Sequence, residues 1–195
     1  MKNEENWSLY IDKTKESNPR DFVVKSMKFF NQENFKGKAV DIGCGAGNDI
    51  HFMLENGWEV LGIDSEPHSK SVCEERFKNN PNFSFNLSDF KNIEMAHCDW
   101  VNASFSLPFC PKEDLNSLIN QISNQLSKNG RFSGNFFGDR HSWTQLSLYS
   151  KEEVLDIISN FDIEFFTEIE EPRVSAFGES TDFHAFAFIV KLKNG

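Results

Sequence analysis

The sequence predicts an α/β fold: a doubly wound, mostly parallel sheet of seven strands that ends in an antiparallel C-terminal hairpin. Three observations carry that expectation. From Lys38 onward, short apolar runs alternate with longer amphipathic stretches, the pattern of a parallel sheet wrapped by helices. The first run feeds directly into a turn with glycines at 43, 45 and 47 and then into a helix. The last two runs are joined by a segment holding Pro172, Gly178 and Asp182, with no helix long enough for a parallel crossover, so they pair antiparallel.

A chain of 195 residues fits one domain, since chains tend to split only above roughly 250 residues. It divides into a polar arm (1–17), a packing helix (18–36) and a core (37–195). Pro19 suits the first position of a helix whose apolar bulk is Val23, Val24, Met27, Phe29 and Phe30. The arm before it reads as a disordered terminus, the commoner fate of such a segment, with a lid as the alternative. Strands follow at 39–42, 58–63, 83–86 and 100–103. Helices at 48–55, 65–78 and 112–126 fill the intervals, the last with Leu115, Leu118, Ile119, Ile122 and Leu126 on one face. A strand at 131–136 precedes a helix at 151–159, where Ser150 and Glu153 have the spacing of a capping box. Strands at 161–169 and 183–192 complete the hairpin.

Acids outnumber bases, 30 to 20, for a net charge of −10. Phosphate backbones require concentrated Lys and Arg, so nucleic acid is a poor partner and a small molecule a better one. Aromatics make up 14% of the chain, 21 of them Phe, which supplies bulk for a core and excludes a disordered acidic chain. No window approaches the roughly 18 apolar residues of a membrane helix, and residues 1–10 hold no signal-like apolar run. The expectation is a cytoplasmic monomer or homodimer with no membrane partner. Cys44, Cys73, Cys98 and Cys110 form no C-x-x-C pair, so reduced thiols and no metal are expected.

The chemistry concentrates in Ala39-Val40-Asp41-Ile42-Gly43-Cys44-Gly45-Ala46-Gly47-Asn48-Asp49. Glycine lets the backbone turn sharply and lets a ligand reach main-chain N–H groups. A dinucleotide fingerprint would continue to its third glycine where Asn48 and Asp49 stand. Carboxylates at 41 and 49 repel a pyrophosphate and suit a cofactor that bears an ammonium and a sulfonium. The next strand, Val60-Leu61-Gly62-Ile63, ends on Asp64, twenty-one residues past Gly43. An acid there accepts both ribose hydroxyls of an adenosine; its plainer role is a helix N-cap.

With these motifs the sequence resembles the class I S-adenosylmethionine-dependent methyltransferases, over nearly its whole length. The resemblance implies a Rossmann-like fold, S-adenosyl-L-methionine as cofactor and S-adenosyl-L-homocysteine as product. Asp41, Gly43, Cys44, Gly45, Gly47, Asn48 and Asp49 would hold the methionine end, and Asp64 with Ser65 the ribose. Ser88, Asp89 and Phe90, after the third strand, would flank the adenine, although a turn is the plainer role for Asp89. Asn102 and Ala103, closing the fourth strand, would line the cleft. A finer resemblance, carried by residues 103–111 and 130–143, is to small bacterial methyltransferases of a tellurite-resistance-like subgroup. In that subgroup an arm with Trp7 and Tyr10 and the pair Pro19-Arg20 precede the core.

The acceptor would lie under the loops after the fourth and fifth strands, where open α/β sheets bind ligands. Ser106, Leu107 and Phe109 would form a floor, and Phe137 and Trp143 a wall, with Tyr10 contributed by the arm and Arg20 by the start of the packing helix. Arg140, His141 and His184 are the catalytic candidates: an anion anchor and two groups that take protons near neutral pH. A surface ion pair for Arg140 and a half-buried strand residue for His184 are the plain alternatives. The expected reaction is methyl transfer to a small acceptor, either a chalcogen oxyanion or a thiol-like nucleophile. Asn102-x-x-Phe105 has the spacing of an amine-methylating motif without its prolines, which keeps a small amine open as acceptor. A non-catalytic binding subunit of the same fold is the other alternative.

Overall fold

The computed structural model describes residues 4–193, with side chains from Trp7 onward; the first three residues of the arm and the last two of the core lie outside the described residues. The seven expected strands form one sheet. Parallel strands β1 (Lys38–Ile42), β2 (Glu59–Asp64), β3 (Phe83–Leu87), β4 (Cys98–Ala103) and β5 (Leu126–Gly138) are followed by a two-residue strand, β6 (Leu148–Tyr149). The antiparallel hairpin is β7 (Phe161–Val174) and β8 (Ser180–Leu192), and the order across the sheet is β3-β2-β1-β4-β5-β8-β7. β6, absent from the sequence expectation, pairs with the end of β5.

Side chains alternate along a strand, and this decides what each face holds. Val40, Ile42, Val101, Phe132 and Phe188 point to one side, where α5 (Lys112–Gln125) and α6 (Lys151–Ile157) cover them with Leu115, Leu118, Ile122 and Val154. Ala39, Val60 and Trp100 point to the other. They are covered by Val23, Met27 and Phe30 of α2 (Asp21–Gln32) and by Ile50 and Met53 of α3 (Asn48–Glu55). Cys73 and Phe77 of α4 (Pro67–Phe77) join this second cluster. Fully buried Arg131 of β5 makes paired bonds to Glu33 at the end of α2 and to Glu164 of β7, tying the packing helix to the hairpin.

Three boundaries differ from expectation. β5 begins at Leu126 and not at 131, with a register shift between Cys98 and Trp100 and a left-handed Asn129 accommodating the irregular start. The hairpin strands run longer than 161–169 and 183–192; β7 is the sheet edge, so Pro172 interrupts no ladder there. The larger correction is the arm, whose residues 4–14 are not a disordered terminus but a helix, α1 (Glu4–Thr14). Trp7, Tyr10, Ile11 and Thr14 recur at helical spacing, and Ile11 is 2% exposed, so α1 is held by a packed face despite its polar composition.

Candidate functional site

The site begins at the carboxyl end of β1. Gly43 and Gly45 have φ of +69° and +53°, backbone that side chains rarely adopt. At Gly43 a Cβ would stand 2.3 Å from Ser106 Cβ, because the loop after β4 docks onto the turn and Ser106 Oγ donates to the Ile42 carbonyl at 2.6 Å. At Gly45 the space where a Cβ would stand is open for 4 Å, which leaves the turn accessible from one side. Gly45 N–H donates to Asp64 Oδ2 at 2.8 Å, and Glu66 N–H to Asp64 Oδ1 at 2.9 Å. Asp64 thus braces the glycine turn from β2, and burial raises its pKa against those two bonds. The capping role goes to Glu66, which accepts from His68 N–H.

Beside the turn two carboxylates converge. Asn102 Nδ2 donates to Asp41 Oδ1 at 2.7 Å and reaches Asp49 Oδ2 at 3.3 Å; Asn102 Oδ1 accepts from Ser133 Oγ at 3.0 Å. Asp41 is 2% exposed. Its pKa lies well above the ordinary carboxylate range, first because burial disfavours the charge and next because Asp49 repels it, with the Asn102 bond opposing. Two buried carboxylates that share one amide are short of positive charge. A cationic ligand seated against them and the open side of Gly45 meets the need the donor set creates, so the residues fit the zwitterionic, sulfonium-bearing cofactor.

α1 and the start of α2 lie across this edge. Asn48 Nδ2 donates to the Thr14 carbonyl at 2.7 Å, Asp12 meets His68 at 2.9 Å, and Ser8 Oγ meets Glu66 at 3.3 Å. Trp7 packs edge-on against Phe109 at 5.0 Å. Arg20 N–H donates to Asp49 Oδ1 at 2.9 Å, while its guanidinium bonds Tyr10 Oη at 3.4 Å and lies 4.8 Å over the Phe105 ring. The arm residues therefore reach the glycine turn, the β2 acid region and the loop after β4 together.

On the acceptor side stands an aromatic wall of Phe105, Phe137, Phe183 and Trp143, with Ala103 and Leu107 buried behind it. His141 stacks on Phe137 at 3.9 Å, and its Nδ1 accepts Trp143 N–H at 3.0 Å, which puts the proton of the neutral ring on Nε2. Burial lowers the His141 pKa to about 4, so the ring is neutral at pH 7.

Other expected residues lie elsewhere. Arg140 and His184 do not face the wall. Alternation along β8 sends Phe183 and Ala185 toward it and His184 the opposite way, with Phe186. There Arg140 binds Glu168 and Glu170, both at 2.8 Å, and its backbone N–H donates to His184 Nδ1 at 3.1 Å. Glu168, Glu170 and His184 have the closeness of metal ligands, and the Arg140 guanidinium already supplies the cation between the two carboxylates. Asp89 Oδ1 caps Asn92 N–H at 3.0 Å and so has the turn role; Ser88 bonds the Asp89 carbonyl, and Phe90 packs on the core. Ser65 is exposed. Asn48 is engaged by α1 and by Arg76, and Cys44 sits near Ser69, its thiol pushed up by burial.

Phe183 and Asn135 escaped the sequence reading of the site, and Phe105 entered it only as the aromatic of an amine-methylating spacing. Phe105 holds a left-handed φ of +55°, and its N–H donates to Asn135 Oδ1 at 2.7 Å. The signal for Asn135 was present, an amide inside the Phe-flanked run Phe132–Phe137, on the alternate positions that β5 turns toward the wall.

Residues 39–130 match the family model described as a methyltransferase domain. An uncharacterised methyltransferase of Staphylococcus carnosus is 20% identical over 157 residues, covering 77% of this chain and 74% of that protein. Among solved structures, TehB from Haemophilus influenzae superposes with a TM-score of 0.77 at 18% identity; 89% of this chain is covered, and the chain spans 62% of TehB. The N-methyltransferase NodS from Bradyrhizobium japonicum, solved with S-adenosylhomocysteine, gives 0.72 at 16% identity, covering 92% of this chain and 90% of NodS. The fold is that of the class I methyltransferases. The match over residues 39–130 spans just under half of this chain and contains the glycine turn, Asp49, Asp64 and Asn102.

Proposed function

We propose that the protein transfers the sulfonium methyl of S-adenosylmethionine to a small acceptor held against Phe105, Phe137, Phe183 and Trp143. The observation that carries the reading is the buried Asp41–Asn102–Asp49 cluster beside the open side of Gly45. Asp41 and Asp49 meet the ammonium and Asp64 the ribose hydroxyls, while Asp89, whose bonds to Asn92 both fall on Oδ1, keeps Oδ2 for the adenine amine beside Phe90. Arg20, between Asp49 and Phe105, closes the methionine end, and α1 serves as the lid. When bound, the cofactor supplies an electrophilic methyl group. The chain's own part is to align the acceptor and keep water out, and positioning of this kind contributes several kcal/mol to lowering a barrier, on the order of 7–11 at best.

A soft nucleophile that is already deprotonated, a thiolate or a chalcogen oxyanion, suits this wall. His141 is neutral, and Arg140 and His184 lie on the other face, so no strong base lines it. The likeness to TehB supports the tellurite-resistance-like subgroup. An amine acceptor loses its principal residue: Asn102 Oδ1 already accepts from Ser133 and Ser104, which leaves its carbonyl committed within the protein. Four free cysteines suit a reducing, cytoplasmic setting. Calorimetric titration with S-adenosylhomocysteine tests the reading. Saturable binding at micromolar ligand is expected, and no heat at millimolar ligand would overturn it.

A further inference from the structure

Asn135 extends the methyl-transfer reading, on which this inference rests, to the chemistry of the acceptor. The residue lies on β5 at 1% exposure, on the face it shares with Ser133 and Phe137. Its Oδ1 accepts the Phe105 N–H at 2.7 Å. That bond fixes the amide, because a flipped side chain would set one N–H against another. The Nδ2 group is therefore the end left over, and it has no hydrogen-bond partner among the described residues. Buried donors are almost always paired, so a fixed, unpaired one at a ligand-facing strand end points to a partner that arrives with the ligand.

Its position identifies the ligand. Gly134 pairs with Ala103, so Asn135 stands one step nearer the carboxyl edge, past the Asp41–Asn102 cluster and against the Phe105 loop. The Phe105 ring is 6.4 Å from Phe137 and 6.1 Å from Phe183. The charges stacked on these rings are cations: Arg20 over Phe105 at 4.8 Å and Arg173 over Phe183 at 3.9 Å. The wall thus offers flat apolar surface, an amide donor and two guanidinium groups.

We propose that Asn135 Nδ2 donates to an oxygen of the methyl acceptor, and that the acceptor is a small, flat, apolar molecule with a hydrogen-bond-accepting oxygen beside its nucleophilic atom. An ammonium at the same place would set donor against donor, next to two cations. His141, its proton on Nε2, supplies a second donor to the same wall.

Binding of size-matched probes to the S-adenosylhomocysteine complex of the full chain, followed by ligand-observed NMR, tests this. Benzoate and acetophenone carry the accepting oxygen, and benzylammonium carries only donors. The first two should bind at least about tenfold more tightly than the third, the effect of one hydrogen bond to a buried donor. Asn135→Asp keeps an acceptor for Phe105 N–H while withdrawing the donor, and should abolish that preference with S-adenosylhomocysteine affinity unchanged. Acetophenone, being neutral, separates the lost donor from charge repulsion. Where N135D does not bind S-adenosylhomocysteine, Asn135→Ala, which carries no side-chain donor, is read the same way. Benzylammonium binding as tightly as benzoate, or a variant that retains the preference, overturns the proposal. Failure of the unmodified chain to bind S-adenosylhomocysteine strikes the methyl-transfer reading instead.

Discussion

Asn102 Nδ2 donates to Asp41 at 2.7 Å and to Asp49 at 3.3 Å, so a single amide bridges the carboxylates that β1 and α3 bring together. Asp41 suffers from this arrangement. Its pKa is raised in the fold by burial and by Asp49, so the folded state holds the proton more tightly than the unfolded chain. Stability from this group is therefore greatest at low pH and falls as pH rises from the unfolded value toward the folded one. Asp41→Asn should remove that fall, raising the melting temperature at neutral pH. It should also weaken S-adenosylmethionine binding by about 1.5–3 kcal/mol, the value of a charged hydrogen bond. Differential scanning fluorimetry and calorimetry on the same pair of proteins check both; a stabilised variant with unchanged affinity removes Asp41 from the site.

Asp64 bonds two backbone N–H groups, on Gly45 and on Glu66. Asp64→Ala should lower S-adenosylhomocysteine affinity by roughly 10- to 100-fold, since it removes a charged acceptor and unbraces the glycine turn. Asp64→Asn should also lose affinity, because its amide N–H must face one of the two backbone donors. Equal calorimetric affinities for the three proteins would take Asp64 out of the ribose role.

Arg131 holds the Glu33 carboxyl at a pKa of about 2, below its ordinary 4.5. A depressed carboxylate contributes stability that is present above the unfolded value and lost as pH falls from about 4.5 toward 2. Glu33→Gln should flatten that acid limb while leaving cofactor affinity intact. Urea midpoints measured across this pH window show the difference.

The Arg140, His184, Glu168 and Glu170 network lies on the α6 side of the hairpin. The Glu168 and Glu170 carboxyls are held below their usual range, Glu168 first by His184 and then Arg140, Glu170 by Arg140. Arg140→Ala should lower the melting temperature and leave S-adenosylhomocysteine affinity unchanged. A loss of affinity without a loss of stability would return Arg140 to the cleft.

Ile11 anchors α1 from a position 2% exposed. Ile11→Asp should undock the helix, speed tryptic cleavage at Lys13 and Lys15, and weaken S-adenosylhomocysteine binding while the core keeps its cooperative unfolding. Cleavage at the native rate, or native affinity with the helix released, would dismiss α1 as the lid.

The sequence by itself determined the succession of seven strands and the helices from residue 18 onward, the antiparallel hairpin and the glycine turn between Asp41 and Asp49. These are local properties: apolar periodicity, chain-reversing residues and missing crossover length act within short stretches of chain. It also placed Asp64, because an acid closing the second strand sits at a fixed offset from the turn. Tertiary structure alone decided which face each residue served. A histidine at 184 and an arginine at 140 look poised for the cleft until β8 is registered on β5, which puts His184 and Phe183 on opposite sides of the sheet. The same registration exposed Asn135, whose unpaired amide follows from Phe105 N–H occupying its oxygen across 30 residues of chain. The arm was decided there too: a polar helix of 11 residues has little stability alone and forms because Ile11, Trp7 and Tyr10 find partners on the core.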